Sequence, residues 1–113
     1  MVGFMLMGEF IPVLKTSELP TEGFKAVEAN GRSVLISCFN HHAAAWLDRC
    51  PHAGAPLRIG KLRGTELKCA WHGWTFDLST GECVPDNPAF KLTPIALKLE
   101  GDQVFVQLPE TAH

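Results

Sequence analysis

The chain has 113 residues, 46% hydrophobic and 19% charged, which suits a single globular domain over residues 1–113 and excludes two domains, a fibre or a disordered tail. Ten basic against twelve acidic residues leave a net charge of −2, too little positive field to hold nucleic acid or anionic lipid. A domain this small buries only about two thirds of its unfolded surface and has little material for a deep pocket, so a carrier, binding module or subunit is expected rather than an enzyme.

The apolar start, Met1 to Met7 (MVGFMLM), has no basic flank and no small-residue cleavage site, and is too short to span a bilayer. It is read as an extension ahead of the first strand in a cytoplasmic protein without a membrane anchor. Phe24–Ala29 and Arg32–Phe39 flank Asn30-Gly31, a dipeptide that accepts the positive φ angles of a type I′ turn, and predict a β-hairpin. A turn at Asn40-His41-His42 then leads into a short strand, Ala44–Asp48, that delivers the chain to Cys50. His41 and His42 are read as exposed turn residues rather than metal ligands.

From Cys50 to Pro94 the pattern changes, with glycines and prolines leaving only short strands such as Glu66–Cys69 and Thr75–Leu78. A second hairpin is predicted where Ile95, Leu97 and Leu99 alternate with other residues, followed by Gly101-Asp102 and Val104–Leu108. No stretch keeps a 3.6-residue apolar period for three turns, so the fold class is all-β. The loop-rich part, about residues 49–90, is expected to be a subdomain that needs something besides core burial to hold it rigid.

A metal centre can supply that rigidity. Cys50-Pro51-His52 and Cys69-Ala70-Trp71-His72 are two pairs separated by 16 residues, each joining one soft thiolate to one imidazole and each followed by a glycine, Gly54 or Gly73. Four cysteines are too few for a disulfide scaffold of this length, so reduced thiols are the better expectation. Cys38, in the apolar run Val34–Phe39, and Cys83, in the short segment Glu82–Val84, read as packing thiols.

The motif C-x-H, 16 residues, C-x-x-H resembles that of Rieske iron–sulfur proteins, and the likeness extends from about Glu9 to Leu108. The resemblance implies three stacked antiparallel sheets with an inserted loop-rich cluster-binding subdomain. It also implies a 2Fe-2S cluster, with Cys50 and Cys69 on one iron and His52 and His72 on the other. A structural zinc site is the alternative for two Cys and two His, but zinc frameworks usually place C-x-x-C ahead of paired histidines, whereas each loop here contributes one of each.

Charge arithmetic indicates what mixed ligands achieve. Two ferric ions, two sulfides and two thiolates sum to zero, whereas four thiolates leave the oxidised centre at −2. Moving from about −400 mV to about −150 mV, the bottom of the Rieske range, is worth roughly 6 kcal/mol for one electron. Respiratory Rieske proteins add a disulfide between the loops, and Ser and Tyr hydroxyls donate to the cluster. Here Ala55 and Trp71 stand at the two cysteine positions, Trp74 at the serine and Phe76 at the tyrosine, and the chain has no Tyr at all. A low-potential, disulfide-free centre is expected.

That profile resembles the Rieske-type ferredoxins of bacterial multicomponent oxygenases that degrade aromatic hydrocarbons. The likeness implies a single-electron carrier between an NAD(P)H-dependent flavoprotein ferredoxin reductase and a terminal oxygenase. Nothing after Leu108 supplies the mononuclear-iron domain of the oxygenase itself. A small Rieske subunit of a nitrite reductase-like assembly is the rival reading, and a zinc-stabilised interaction module the third. Around the histidines, Ala53, Gly54, Ala55, Pro56 and Leu57, with Pro88-Ala89, are expected to form an uncharged docking rim. Trp71 is read as shielding the cluster, with the place of the Trp71 and Trp74 indoles relative to a docking surface left open. The charges of Arg58, Lys61, Arg63, Asp77 and Asp86 fit either solvated loops or partner steering.

Overall fold

A computed structural model describes residues 9–51, 54–70, 73–84 and 90–108. Met1 to Met7, His52, Ala53, Trp71, His72, Asp86, Pro88 and Ala89, all singled out in the sequence, lie outside the described residues. Among the described residues ten strands run in order: β1 Ile11–Lys15, β2 Gly23–Ala29, β3 Arg32–Phe39, β4 His42–Leu47, β5 Lys61–Arg63, β6 Glu66–Lys68, β7 Thr75–Asp77, β8 Cys83–Val84, β9 Pro94–Glu100 and β10 Gln103–Gln107. Among the described residues no helix is long and apolar enough to cross a membrane.

The strands form an antiparallel ladder β1-β10-β9-β4-β3-β2 and a four-stranded sheet β5-β6-β7-β8. Only Ala45↔Ile95 and Trp46↔Pro94 join β4 to β9, so the ladder is two three-stranded sheets that meet along a short seam. With the four-stranded sheet inserted between β4 and β9, these make the three sheets expected.

Local chemistry sets the hairpins. Asn30 and Gly31 adopt φ of 53° and 79° between the paired Ala29 and Arg32, the left-handed pair that a type I′ turn needs. The next connection is equally tight: Asn40 and His41 take φ of 52° and 66°, and His42 already pairs with Phe39. The expected three-residue turn is therefore a two-residue one, and β4 begins two residues before Ala44. The Asn40 N–H donates to Glu22 Oε2 at 2.7 Å, which offsets the cost of that uncommon conformation. Both histidines are exposed, as a turn requires.

Val34 to Phe39 is buried at every position because β3 is covered on both faces. Val34 and Ile36 point to a core shared with Ala45, Ile95, Val106 and Leu108, while Leu35 and Phe39 point to one shared with Trp46, Leu57, Leu67, Phe76 and Leu78. The first core closes the two large sheets on each other, and the second fastens the inserted sheet to them. Of the alternating Ile95, Leu97 and Leu99 on β9, Ile95 is buried and Leu99 is 53% exposed.

Trp46 pins the inserted sheet. Its Nε1–H donates to the Leu78 carbonyl at 2.9 Å and to Ser37 Oγ at 3.3 Å, and Ser37 Oγ in turn donates to the same carbonyl at 3.1 Å. The indole lies flat against buried Gly81, whose φ is +82° and whose missing Cβ would fall 2.6 Å from the ring. Since the hydrogen bonds hold the indole in place, Gly81→Ala is expected to destabilise the chain by about 1–3 kcal/mol, read as a lowered melting temperature in calorimetry. An unchanged melting temperature would show that the ring can move aside.

Candidate metal centre

The loop beginning at Cys50 is closed by its own backbone. The Cys50 N–H donates to the Ala55 carbonyl at 2.8 Å, and the Gly54 N–H donates back to the Cys50 carbonyl at 2.7 Å. Gly54 takes φ +73°, a conformation that side chains rarely adopt, so the turn depends on glycine. The loop beginning at Cys69 closes in the same way: the Cys69 N–H donates to the Trp74 carbonyl, and Gly73 takes φ +71°. In both loops the bond joins the cysteine to the fifth residue after it, a symmetry that matches the paired spacing in the sequence.

The cysteine side chains are withdrawn from water, Cys50 at 0% and Cys69 at 1% exposure, and both belong to the core cluster that holds Leu57, Leu67 and Phe76. None of the four cysteines is in a disulfide. Cys38 and Cys83 are buried on β3 and β8. Cys50 and Cys69 thus share one core cluster, while the two histidines expected beside them lie outside the described residues.

Several neighbouring expectations are revised. Ala55 at 2% and Leu57 at 0% exposure face inward, so they anchor the first loop in the core instead of forming a docking rim. Of that stretch, Gly54 is exposed and Pro56 half-buried. Trp74 is half-buried with its ring edge-to-face on Phe90, centroids 4.8 Å apart.

Arg58 is no free loop charge. Its Nη1 donates to Asp48 Oδ2 at 2.6 Å, and the Asp48 side chain is fully buried. That carboxylate also accepts from Ser33 Oγ at 2.7 Å, from the Leu57 N–H at 2.7 Å and from the Arg58 N–H at 2.9 Å. It therefore ties the far shoulder of the first loop, a short 3-10 turn over Leu57–Ile59, to the end of β4 and the start of β3. Burial by itself would raise the Asp48 carboxyl, but the hydrogen bonds from Ser33, from the Arg58 side chain and from the two backbone amides outweigh it and hold it below the usual 3.8. Asp77 is held low in the same manner: burial is outweighed by the Ser79 hydroxyl and N–H and by Thr65, which fixes the turn between β7 and β8.

Gly60 ends the same 3-10 turn and passes directly over β6. A Cβ there would collide with the Lys68 carbonyl oxygen, so the shoulder of the first loop rests on the residue preceding Cys69. Only glycine permits that approach, and it couples the placement of the two loops.

The family model for the Rieske [2Fe-2S] domain matches residues 9–98. The chain belongs to the Rieske [2Fe-2S] family. It is 34% identical over 80 residues to the ferredoxin component of the p-cumate 2,3-dioxygenase system of Pseudomonas putida, covering 70% of this chain and 68% of that protein. It is 33% identical over 78 residues to oxidoreductase NdmD of the same organism, covering 68% of this chain but 13% of NdmD. The chain thus spans a small part of some relatives and most of others. Among solved structures, the ferredoxin of carbazole 1,9a-dioxygenase from Nocardioides aromaticivorans superposes with a TM-score of 0.72 at 22% identity, covering 88% of this chain and 97% of that one, which establishes the shared fold.

Membership implies one Rieske-type 2Fe-2S cluster, and the residues present fit it. Two buried thiols outside any disulfide, in one cluster at the feet of two equally closed loops, are the soft donors that iron and sulfide take.

Because Asp48 has a depressed carboxyl, its contribution to stability is complete above the unfolded carboxylate range and is lost as pH falls through the lower folded value. Asp48→Ala leaves the Leu57 and Arg58 amides unpaired and is expected to cost about 3–5 kcal/mol at neutral pH. Asp48→Asn should flatten the acid limb of stability against pH. Denaturant titrations from pH 7 to pH 3 check both, and an acid limb unchanged in Asp48→Asn would remove Asp48 from this role.

Proposed function

We propose that the chain is a single-electron carrier, without catalytic residues of its own, that takes electrons from an NAD(P)H-dependent flavoprotein reductase and delivers them to a terminal oxygenase. Cys50 and Cys69 would hold one iron of the cluster, and His52 and His72 the other. The observation that carries this reading is the matched pair of backbone-closed loops whose thiols share one buried cluster. Its choice among Rieske functions is supported by the match to the p-cumate ferredoxin component over two thirds of that protein's length.

When bound, the cluster takes up and releases one electron at a time. The chain's part is to hold the ligands and set the surroundings. Phe76, fully buried, brings an apolar ring where hydroxyl-bearing relatives place a donor, and Trp74 packs its ring on Phe90. Fewer donors stabilise added negative charge less, which supports a potential near the low end of the Rieske range, about −150 mV. Thiols outside any disulfide also suit a reducing, cytoplasmic setting.

A second reading, a Rieske unit held permanently on a larger reductase, is favoured by the small fraction of NdmD that the chain matches. Purification as a reducible monomer would decide for the carrier.

Replacing His52 or His72 by Ala is expected to abolish the Rieske visible and electron paramagnetic resonance signatures, while redox titration of the unaltered protein should give a midpoint near −150 mV. Unchanged spectra in both variants would remove the histidines from the ligand set. A midpoint hundreds of millivolts positive would overturn the argument from missing donors.

A further inference from the structure

The chain's charges are not spread evenly. Residues 49–73, which contain both cysteine loops, carry five basic residues and one acidic residue, a net +4, while the rest of the chain carries five basic and eleven acidic, a net −6. Among the described residues, several cations of that segment line two grooves. An open groove of about 320 Å³ beside the first loop is lined by Arg32, Arg49 and Arg58, with Gly54 and Pro56 at its loop side. A second groove, about 460 Å³, is lined by Lys61 and Lys68 with Cys69, Ala70 and Gly73 of the second loop. The turn over residues 57–60 separates the two, contributing Arg58 to the first and Ile59 and Gly60 to the second.

Among the described residues the single carboxylate lining either groove is Asp48, whose side chain is fully buried and already joined to Arg58. Arg49, Arg58, Lys61 and Lys68 are exposed, and Lys61 and Lys68 stand opposite each other on β5 and β6. Between the two sets of cations, Ile59 is 55% exposed, a large apolar side chain left to solvent. An apolar residue ringed by cations of one sign is the composition of a steered protein interface, with a desolvated centre and a charged rim that guides approach.

We propose that this face, centred on Ile59 and rimmed by Arg49, Lys61 and Lys68, docks a redox partner protein whose own surface is acidic. The proposal rests on the electron-carrier reading and adds to it the sign of the partner's docking charge. It runs against the net charge of −2, which by itself would direct the chain to basic partners. The local field at the loops outweighs the net charge because opposite charges more than a Debye length away, about 8 Å at physiological salt, are largely screened.

The test uses the full chain with its cluster, reduced by dithionite and freed of excess reductant, and two acceptor proteins of opposite sign: an acidic plastocyanin and a basic mitochondrial cytochrome c. One electron leaves the reduced chain and reduces the copper or haem iron of the acceptor. At about 0.1 M ionic strength, where distant charges are screened and the local field at the loops prevails, the second-order rate with plastocyanin should exceed that with cytochrome c by about tenfold or more, and the gap should close as salt is raised toward about 1 M. The Lys61→Glu/Lys68→Glu variant, with its visible spectrum intact, should reverse the order.

A faster reaction with cytochrome c in the unaltered chain, or a charge-reversed variant that behaves like it, would overturn the proposal while leaving the carrier reading in place. A chain that takes up no electron from dithionite would overturn both. Retention on phosphatidylglycerol vesicles or on a single-stranded oligonucleotide at 0.15 M salt, without a plastocyanin preference, would reassign the face to a polyanion and end the claim for a protein partner.

Discussion

Two thiols from separate loops lie in one buried core cluster, a placement that each loop's own side chains are too few to fix. The structure meets this constraint by tying each loop to itself and then to something rigid. A hydrogen bond from each cysteine amide to the fifth residue onward closes the loop, and a glycine at positive φ makes the closure sterically possible. Beyond that, Ala55 and Leu57 sink the first loop into the core, and the second rises from the hydrogen-bonded β6–β7 pair.

The attachments reach well outside the loops. Asp48 gathers Ser33, Leu57 and Arg58 around one carboxylate, a buried arrangement in which every acceptor position has a donor, as a buried charge requires. Trp46 does the corresponding work for the inserted sheet, bonded to Leu78 and seated on Gly81. Both residues lie on or next to β4, so this strand is the beam that carries the inserted sheet and also joins the two larger sheets at the Ala45–Ile95 seam.

How much of this was legible in the sequence depended on the range of the interactions. The Asn30-Gly31 hairpin is local and legible, and the paired cysteine–histidine spacing led to the family. The start of β4 was misplaced because Asn40-His41 adopts left-handed angles that usually advertise themselves with glycine. Asp48, Trp46, Gly60 and Gly81 went unweighted, since their partners are distant in sequence: the Trp46 acceptor lies 32 residues on, and the Gly60 contact exists only once β6 is in place. The inward turn of Ala55 and Leu57 was missed because uncharged loop residues look alike whether they cover a core or face a partner. Charge asymmetry was present in the sequence, but it became an argument only when the fold placed Arg32 beside Arg49 and Arg58, and Lys61 across from Lys68.

The central claim is an asymmetric pair of irons, one held by the two buried thiolates and the other by the two imidazoles. Mössbauer spectroscopy of the iron-57-labelled chain tests it most directly, with iron and inorganic sulfide assayed on the same sample. The account predicts two irons and two sulfides per chain and two distinct iron sites in equal amount. A single class of equivalent irons, or material lacking inorganic sulfide, would contradict it.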